Sequence, residues 1–119
     1  MTATIPDLVT TVPVTIGAAA SLSGASTKIL GQLVAIIPDA SWTTNAVTFQ
    51  GSLDGATFFD LWTAGAEYSV LAIPASKWQA VSQAVFTGVK YIKVRSGTSG
   101  TPVTQGSSTV ITLVTRPIQ

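Results

Sequence analysis

Five carboxylates, Asp7, Asp39, Asp54, Asp60 and Glu67, are all that 119 residues offer for acid–base chemistry or for holding a hard cation. Asp54 and Asp60 fall on or beside one predicted hairpin, where they could contribute to a calcium site together with backbone carbonyls. Calcium usually takes more carboxylates than this. A turn role for Asp54 and a solvent-facing place for Asp60 beside Phe59 account for both residues more simply. Glycoside hydrolysis needs two opposed carboxylates in a cleft, and none of these sits in a recognisable motif. Ser76-Lys77 has the composition of a Ser–Lys dyad, but nothing around it would activate the hydroxyl. The chain has no histidine and no cysteine, which removes His-based triads, thiolate chemistry, zinc fingers and disulfides. No phosphate-cradling glycine loop is present, and Gly97 and Gly100 read as turn glycines. The expectation is a protein that is not an enzyme and that uses no cofactor or metal.

Binding chemistry is the alternative. Net charge is +1, so the chain lacks the electrostatic footprint of a nucleic-acid binder. Lys90, Lys93 and Arg95 cluster around Tyr91, but Lys90 and Lys93 point to opposite faces of a strand. A solvated edge is the expected role for the group. Trp42, Trp62, Trp78, Tyr68 and Tyr91 could form a stacking platform for glycans. Trp42 and Trp78 lie in polar stretches, which would leave them open to a glycan or to another subunit. Interfaces enrich Trp and Tyr at their centres, so Trp42, Trp78, Tyr68 and Tyr91 are the candidate contact residues, with subunit contact preferred.

Charged residues are only 9% of the chain against 46% hydrophobic, far below the roughly 25% charge of average soluble domains. Ser, Thr, Gln and Gly must therefore supply most of the polar surface. So little charge suits a protein packed against neighbours. The first residues lack the basic and apolar regions of a signal peptide, and no apolar run of 18 residues spans a membrane. Synthesis in the cytoplasm is expected.

The elements that would position these residues are strands. Thr2 to Ile16 is rich in Thr and Val but carries Pro6 and Pro13, which fits an edge strand or an extended arm. Ile5, Leu8, Val9 and Val12 would be the arm's contacts with a neighbour. Gly17 to Thr27 is small and polar, a loop or connection. Residues 1–28 are thus read as arm and linker, and 29–119 as the folded domain. Ile29 to Ile37 predicts a buried central strand. Ala46 to Gly51 alternates, with Val47 and Phe49 inward. Asp54-Gly55 then signals a hairpin returning over Thr57 to Trp62.

A turn at Thr63 to Ala66 leads into a strand at Glu67 to Ile73, which Pro74 stops. A short strand is expected within Ser76 to Val81, and Ser82 reads as the N-cap of one helical turn, Gln83 to Phe86, closed by Gly88. Val89 to Ser96 alternates, with Ile92 and Val94 on one face and Tyr91, Lys93 and Arg95 on the other. A turn cluster, Ser96 to Pro102, follows, and a last strand starts at Thr109 and ends at Arg116-Pro117. About eight short strands with one helical turn predict an all-β, antiparallel β-sandwich. A jelly roll is preferred and an immunoglobulin-like sandwich comes second.

Three stretches carry a resemblance. They are Phe49-Gln50-Gly51-Ser52-Leu53-Asp54-Gly55, Phe59-Asp60-Leu61, and the run from Phe86-Thr87-Gly88 through Tyr91-Ile92-Lys93-Val94-Arg95 to Thr101-Pro102-Val103. Together with Ile111-Thr112-Leu113-Val114 they resemble a family of small virion proteins of tailed bacteriophages and prophages, over roughly residues 29 to 116. The resemblance implies a capsid decoration (cement) protein or the base of a head spike, built on a β-sandwich. It further implies a place on the outer capsid surface, the major capsid protein as partner, and a homo-oligomer with a trimer favoured. A tail or neck subunit has the same features, and a virion carbohydrate-binding module is the rival from another class. The shared residues are turn glycines and core aromatics, so no binding residue is carried over.

Overall fold

The computed structural model describes residues 9–117 except 25 and 30. Its strands are β1 (Thr10–Ile16), β2 (Thr27–Lys28), β3 (Gln32–Pro38), β4 (Asn45–Ser52), β5 (Phe59–Asp60) and β6 (Trp62–Thr63). These are followed by β7 (Ala66–Glu67), β8 (Ser69–Ile73), β9 (Gln79–Ala80), β10 (Tyr91–Ser96) and β11 (Thr109–Arg116). One 3₁₀ turn, Gln83–Phe86, lies between β9 and β10.

The pairing is nested. β1 pairs with β11, β2 with β10, β3 with β9 and β4 with β8, all antiparallel. One long hairpin, rolled so that its successive strands alternate between two sheets, gives this pattern, and it is that of a jelly roll. One sheet runs β1-β11-β3-β9 and the other β2-β10-β4, with β5 and β8 sharing the far side of β4. β6 and β7 form a separate two-stranded ribbon inserted between β5 and β8.

Alternation along the strands builds the core. Val14, Ile16, Leu33, Ile36, Ile111 and Leu113 from one sheet meet Val47, Phe49, Ile92 and Val94 from the other. Phe86 of the 3₁₀ turn plugs the space between them. Its ring stands edge-on to Phe49 at 5.0 Å and to Tyr68 at 6.0 Å, a geometry the aromatic quadrupole favours.

Several expectations change. β1 is an edge strand of the main sheet, and Val14 and Ile16 are in the core, so Thr10–Ile16 is part of the folded domain rather than of an arm. Of the proposed arm contacts, Ile5 and Leu8 lie outside the described residues, Val9 is exposed and Val12 is half-buried within β1. The apolar run from Ile29 becomes a strand only at Gln32, because β2 ends before it at Lys28 and β3 starts after Gly31. Gly31, at φ +92, lies in the connection between them, where the chain crosses from one sheet at β2 to the other at β3. A Cβ at Gly31 would collide with the Arg116 carbonyl oxygen.

The hairpin after Asp54-Gly55 returns only two paired residues, β5, before the chain leaves for the β6–β7 ribbon. Ser82 precedes the 3₁₀ turn, but its side chain makes no capping hydrogen bond.

Candidate functional site

β10 aims its odd-numbered residues at the outer face of the β2-β10-β4 sheet. The expected solvated edge is not found at Arg95, which is 7% exposed. Arg95 Nη2 donates to Asp60 Oδ1 at 2.8 Å, and Nη1 donates to Glu67 Oε2 at 3.0 Å. Glu67 also accepts the Ser99 backbone N–H, at 3.1 and 3.2 Å to its two oxygens. Gln50 donates to Asp60 Oδ1 at 3.3 Å. The Arg95 hydrogen bond is the main cause holding the Asp60 carboxyl below its ordinary range; burial opposes it, and Gln50 and Ser99 assist. The cluster ties β5, the β6–β7 ribbon and the loop after β10 onto one sheet.

The other described carboxylates are also engaged by neighbours. Asp54 accepts the backbone N–H groups of Thr57 and Ala56 and the Ser52 hydroxyl, which together hold its carboxyl below the usual value. Asp39 is lowered first by the Ser41 hydroxyl at 2.6 Å and then by the Val110 N–H. Among the described residues no group of three acidic, His or Cys side chains gathers as a metal cluster would. Ser76 sits in a turn at φ 58 with its N–H on the Pro38 carbonyl, a structural use of the Ser-Lys pair.

The aromatic candidates separate by burial. Trp42 is 4% exposed, with its indole N–H donating to the Ile73 carbonyl at 2.8 Å, so it offers nothing to a partner. Its polar sequence neighbours misled because the indole reaches inward from a loop. Tyr68 is half-buried against Phe49 and Phe86, and its hydroxyl accepts the Ser82 N–H at 3.0 Å. Tyr91 is half-buried beside Gly55. Trp78 is exposed as expected, and so is Trp62. The structure does not bring Trp42, Trp78, Tyr68 and Tyr91 to one surface.

Three exposed apolar residues escaped the sequence reading: Leu53, Phe59 and Leu71. With Trp62 and Trp78 they stand 63% to 74% exposed. All five belong to the segment from residue 53 to residue 78, and of them Leu53 and Phe59 share one cleft. Leu71 is expelled by a β-bulge. Val70 pairs with Val47 and Ile73 with Asn45, so two β8 residues face Ala46 alone. The bulge lets both Val70 and Ile73 turn toward the core, which leaves Leu71 outside. Only the register reveals this, since β8 alternates ambiguously in sequence.

Leu53 and Phe59 rim an apolar cleft of about 390 Å³ walled by Gly51, Leu61, Gly88 and Val89. None of its lining residues is charged. Gly51 gives it depth, because a Cβ there would come within 2.9 Å of Leu61 and 3.2 Å of Val89. A second cleft lies at the opposite flank, between β1 and the Ser23–Thr27 segment.

Comparison of the chain with known protein families, with curated proteins and with solved structures returned no match.

Proposed function

We propose that this chain is a structural protein of a tailed-bacteriophage virion, one that binds the outer surface of the head and stabilises the shell without catalysing a reaction. The observation that carries the reading is the number of large apolar side chains left exposed between residues 53 and 78. Five large apolar side chains in that segment are exposed, in a chain where charge is scarce. Exposed apolar side chains that adjoin one another, as Leu53 and Phe59 do at their cleft, mark surfaces that meet a partner. A jelly roll whose first and last strands pair in one sheet is also a unit suited to repeated placement on a lattice, where weak contacts add through multivalency. The partner would be the major capsid protein, and the location the virion surface after synthesis in the host cytoplasm. The resemblance read from the sequence motifs in residues 29 to 116 points the same way, with no matching family or relative beside it. Jelly rolls serve many functions, so the fold alone decides nothing.

Exposed Trp62 and Trp78 favour one second reading, a glycan-binding module on a virion, because indole faces stack on sugar rings. The test is titration of the purified protein onto capsids that lack it, imaged by electron cryomicroscopy. Density at symmetry-related sites on the shell is the expected result. A bare shell together with binding on a glycan array would replace the first reading with the second. A bare shell with density at the tail or neck would move the protein within the virion.

A further inference from the structure

We propose that the Ser52 hydroxyl protects the Asp54-Gly55 step from isomerisation to isoaspartate, a modification to which its sequence would otherwise expose it. In that reaction the Gly55 backbone nitrogen attacks Cγ of Asp54. The nitrogen's proton leaves with the carboxyl's OH as water, and a five-membered succinimide forms. A second water opens the ring at either carbonyl. Opening at the α-carbonyl leaves the chain running through the aspartate side chain. A following glycine favours the attack, because no side chain hinders its nitrogen. Asp54 is the one aspartate followed by glycine, and Asn45, the one asparagine, precedes alanine. Asp54 is also exposed, so water reaches it.

The geometry of the turn opposes each part of this step. The Gly55 N–H, on the attacking atom, donates to the Ser52 hydroxyl oxygen at 2.8 Å. The same oxygen accepts the Asp54 N–H at 3.2 Å, and its proton goes to Asp54 Oδ1 at 3.0 Å. One donor and two acceptor sites are all a hydroxyl has, and here the turn uses them all. Ser52 is 4% exposed, so water does not compete for it. The attacked group is held too. Asp54 Oδ1 accepts the Ala56 and Thr57 N–H groups at 2.8 and 2.9 Å. The Thr57 and Ala56 amides, then the Ser52 hydroxyl, keep the carboxyl ionised. A carboxylate is a poorer electrophile than the acid, which can lose its OH as water. Gly55 is backed by neighbours as well: at φ +79, a Cβ there would lie 3.3 Å from the Tyr91 ring and from Ser26 Oγ. Attack therefore waits for the turn to open, and opening must break the bonds that converge on Ser52. The inference concerns this turn alone and holds whatever the protein binds.

Prolonged incubation of the intact chain at neutral pH and physiological temperature tests it. Isoaspartate is measured after denaturation by methyl transfer from protein isoaspartyl methyltransferase, and peptide mapping locates it at residue 54. The folded parent should accumulate it at least about tenfold more slowly than the same chain unfolded in guanidinium chloride, since several hydrogen bonds must break before attack. Ser52→Ala, checked by circular dichroism to be folded, should raise the folded-state rate about tenfold. Ser52→Cys, close in shape but a weak hydrogen-bonding partner, takes its place if the alanine variant does not fold. Trp42→Phe, which removes a core hydrogen bond outside the turn, should age as slowly as the parent. Hydrogen exchange at the Gly55 amide of the parent needs no variant, and a protected N–H is expected. A folded parent that ages as fast as the unfolded chain, or a folded Ser52 variant that ages no faster than the parent, would overturn the proposal. So would a Trp42→Phe chain that ages as fast as the Ser52 variant, or a Gly55 amide that exchanges at its unstructured rate.

Discussion

Arg95 of β10 and Asp60 of β5 are held 2.8 Å apart on the outer face of a sheet, with the guanidinium almost fully covered. They are 35 residues apart in sequence, and neither is adjacent to the other in the strand order: β4 lies between β10 and β5. Arg95 reaches across β4, passing Thr48, and continues to Glu67. A buried guanidinium with two carboxylate partners is stable only while both remain, because desolvating an unpaired charge costs more than the pair returns.

Replacing Arg95 with Met should destabilise the protein by about 2–4 kcal/mol, somewhat below the usual cost of breaking a buried pair because Asp60 keeps 28% of its side chain in solvent. Urea denaturation measures this. The triple variant Arg95→Met, Asp60→Asn, Glu67→Gln should recover part of the loss, since no unpaired charge is left behind. A triple variant weaker than the single one would show that the two carboxylates stabilise the fold without Arg95, through Gln50 and the Ser99 N–H.

Acid should weaken the fold. Asp39, Asp54 and Asp60 all have carboxyls held below the ordinary value of 3.8. A group with a lowered folded-state pKa contributes stability that is complete above its unfolded pKa and is lost as pH falls through the folded one. Thermal midpoints should therefore stay level above about pH 5 and fall progressively below about pH 4. In Asp60→Asn the acid-dependent fall should be shallower, and differential scanning calorimetry from pH 2 to 7 would show it.

Ala64 and Gly65 turn the β6–β7 ribbon with φ of 53 and 81, the left-handed pair of a type I′ turn. Alanine is a poor residue for the first position, and asparagine is preferred there. Ala64→Asn should stabilise by about 0.5–1 kcal/mol, read from the midpoint of chemical unfolding.

Gly31 should be intolerant of any side chain. Its positive φ and its contact with the Arg116 carbonyl leave no room for a Cβ where β2 hands over to β3. Gly31→Ala should cost more than about 2 kcal/mol, or prevent folding, whereas Gly100→Ala, with open space around it, should cost little. Expression and circular dichroism of the two variants side by side would separate the cases.

Tryptophan fluorescence checks the burial pattern directly. Trp62 and Trp78 should be quenched by iodide and Trp42 should not. Trp42→Phe should remove the unquenched, blue-shifted component. It should also cost about 1–3 kcal/mol, because the Ile73 carbonyl loses its buried donor.

Much of this architecture is legible along the chain. Val47, Phe49, Ile92 and Val94 alternate at the period of a half-buried strand, Pro13 confines β1 to a sheet edge, and the turn formers fall between the strands. Period and turn chemistry are local properties, so the all-β class, most strand positions and the turn role of Asp54 follow from sequence by itself. What lies on the surface and what lies beneath it does not. Arg95 and Lys93 have the same parity on β10 and the same kind of charge. Only the arrival of β5 and the β6–β7 ribbon across β4 covers one with carboxylates and leaves the other half-buried. Trp42 and Trp78 sit in similar polar stretches, yet one fills the core and the other faces water. The β8 bulge that ejects Leu71, and the recess that Gly51 opens beside Phe59, depend on which strand pairs with which and in what register. Those pairings join residues tens of positions apart, so the tertiary structure alone decided them.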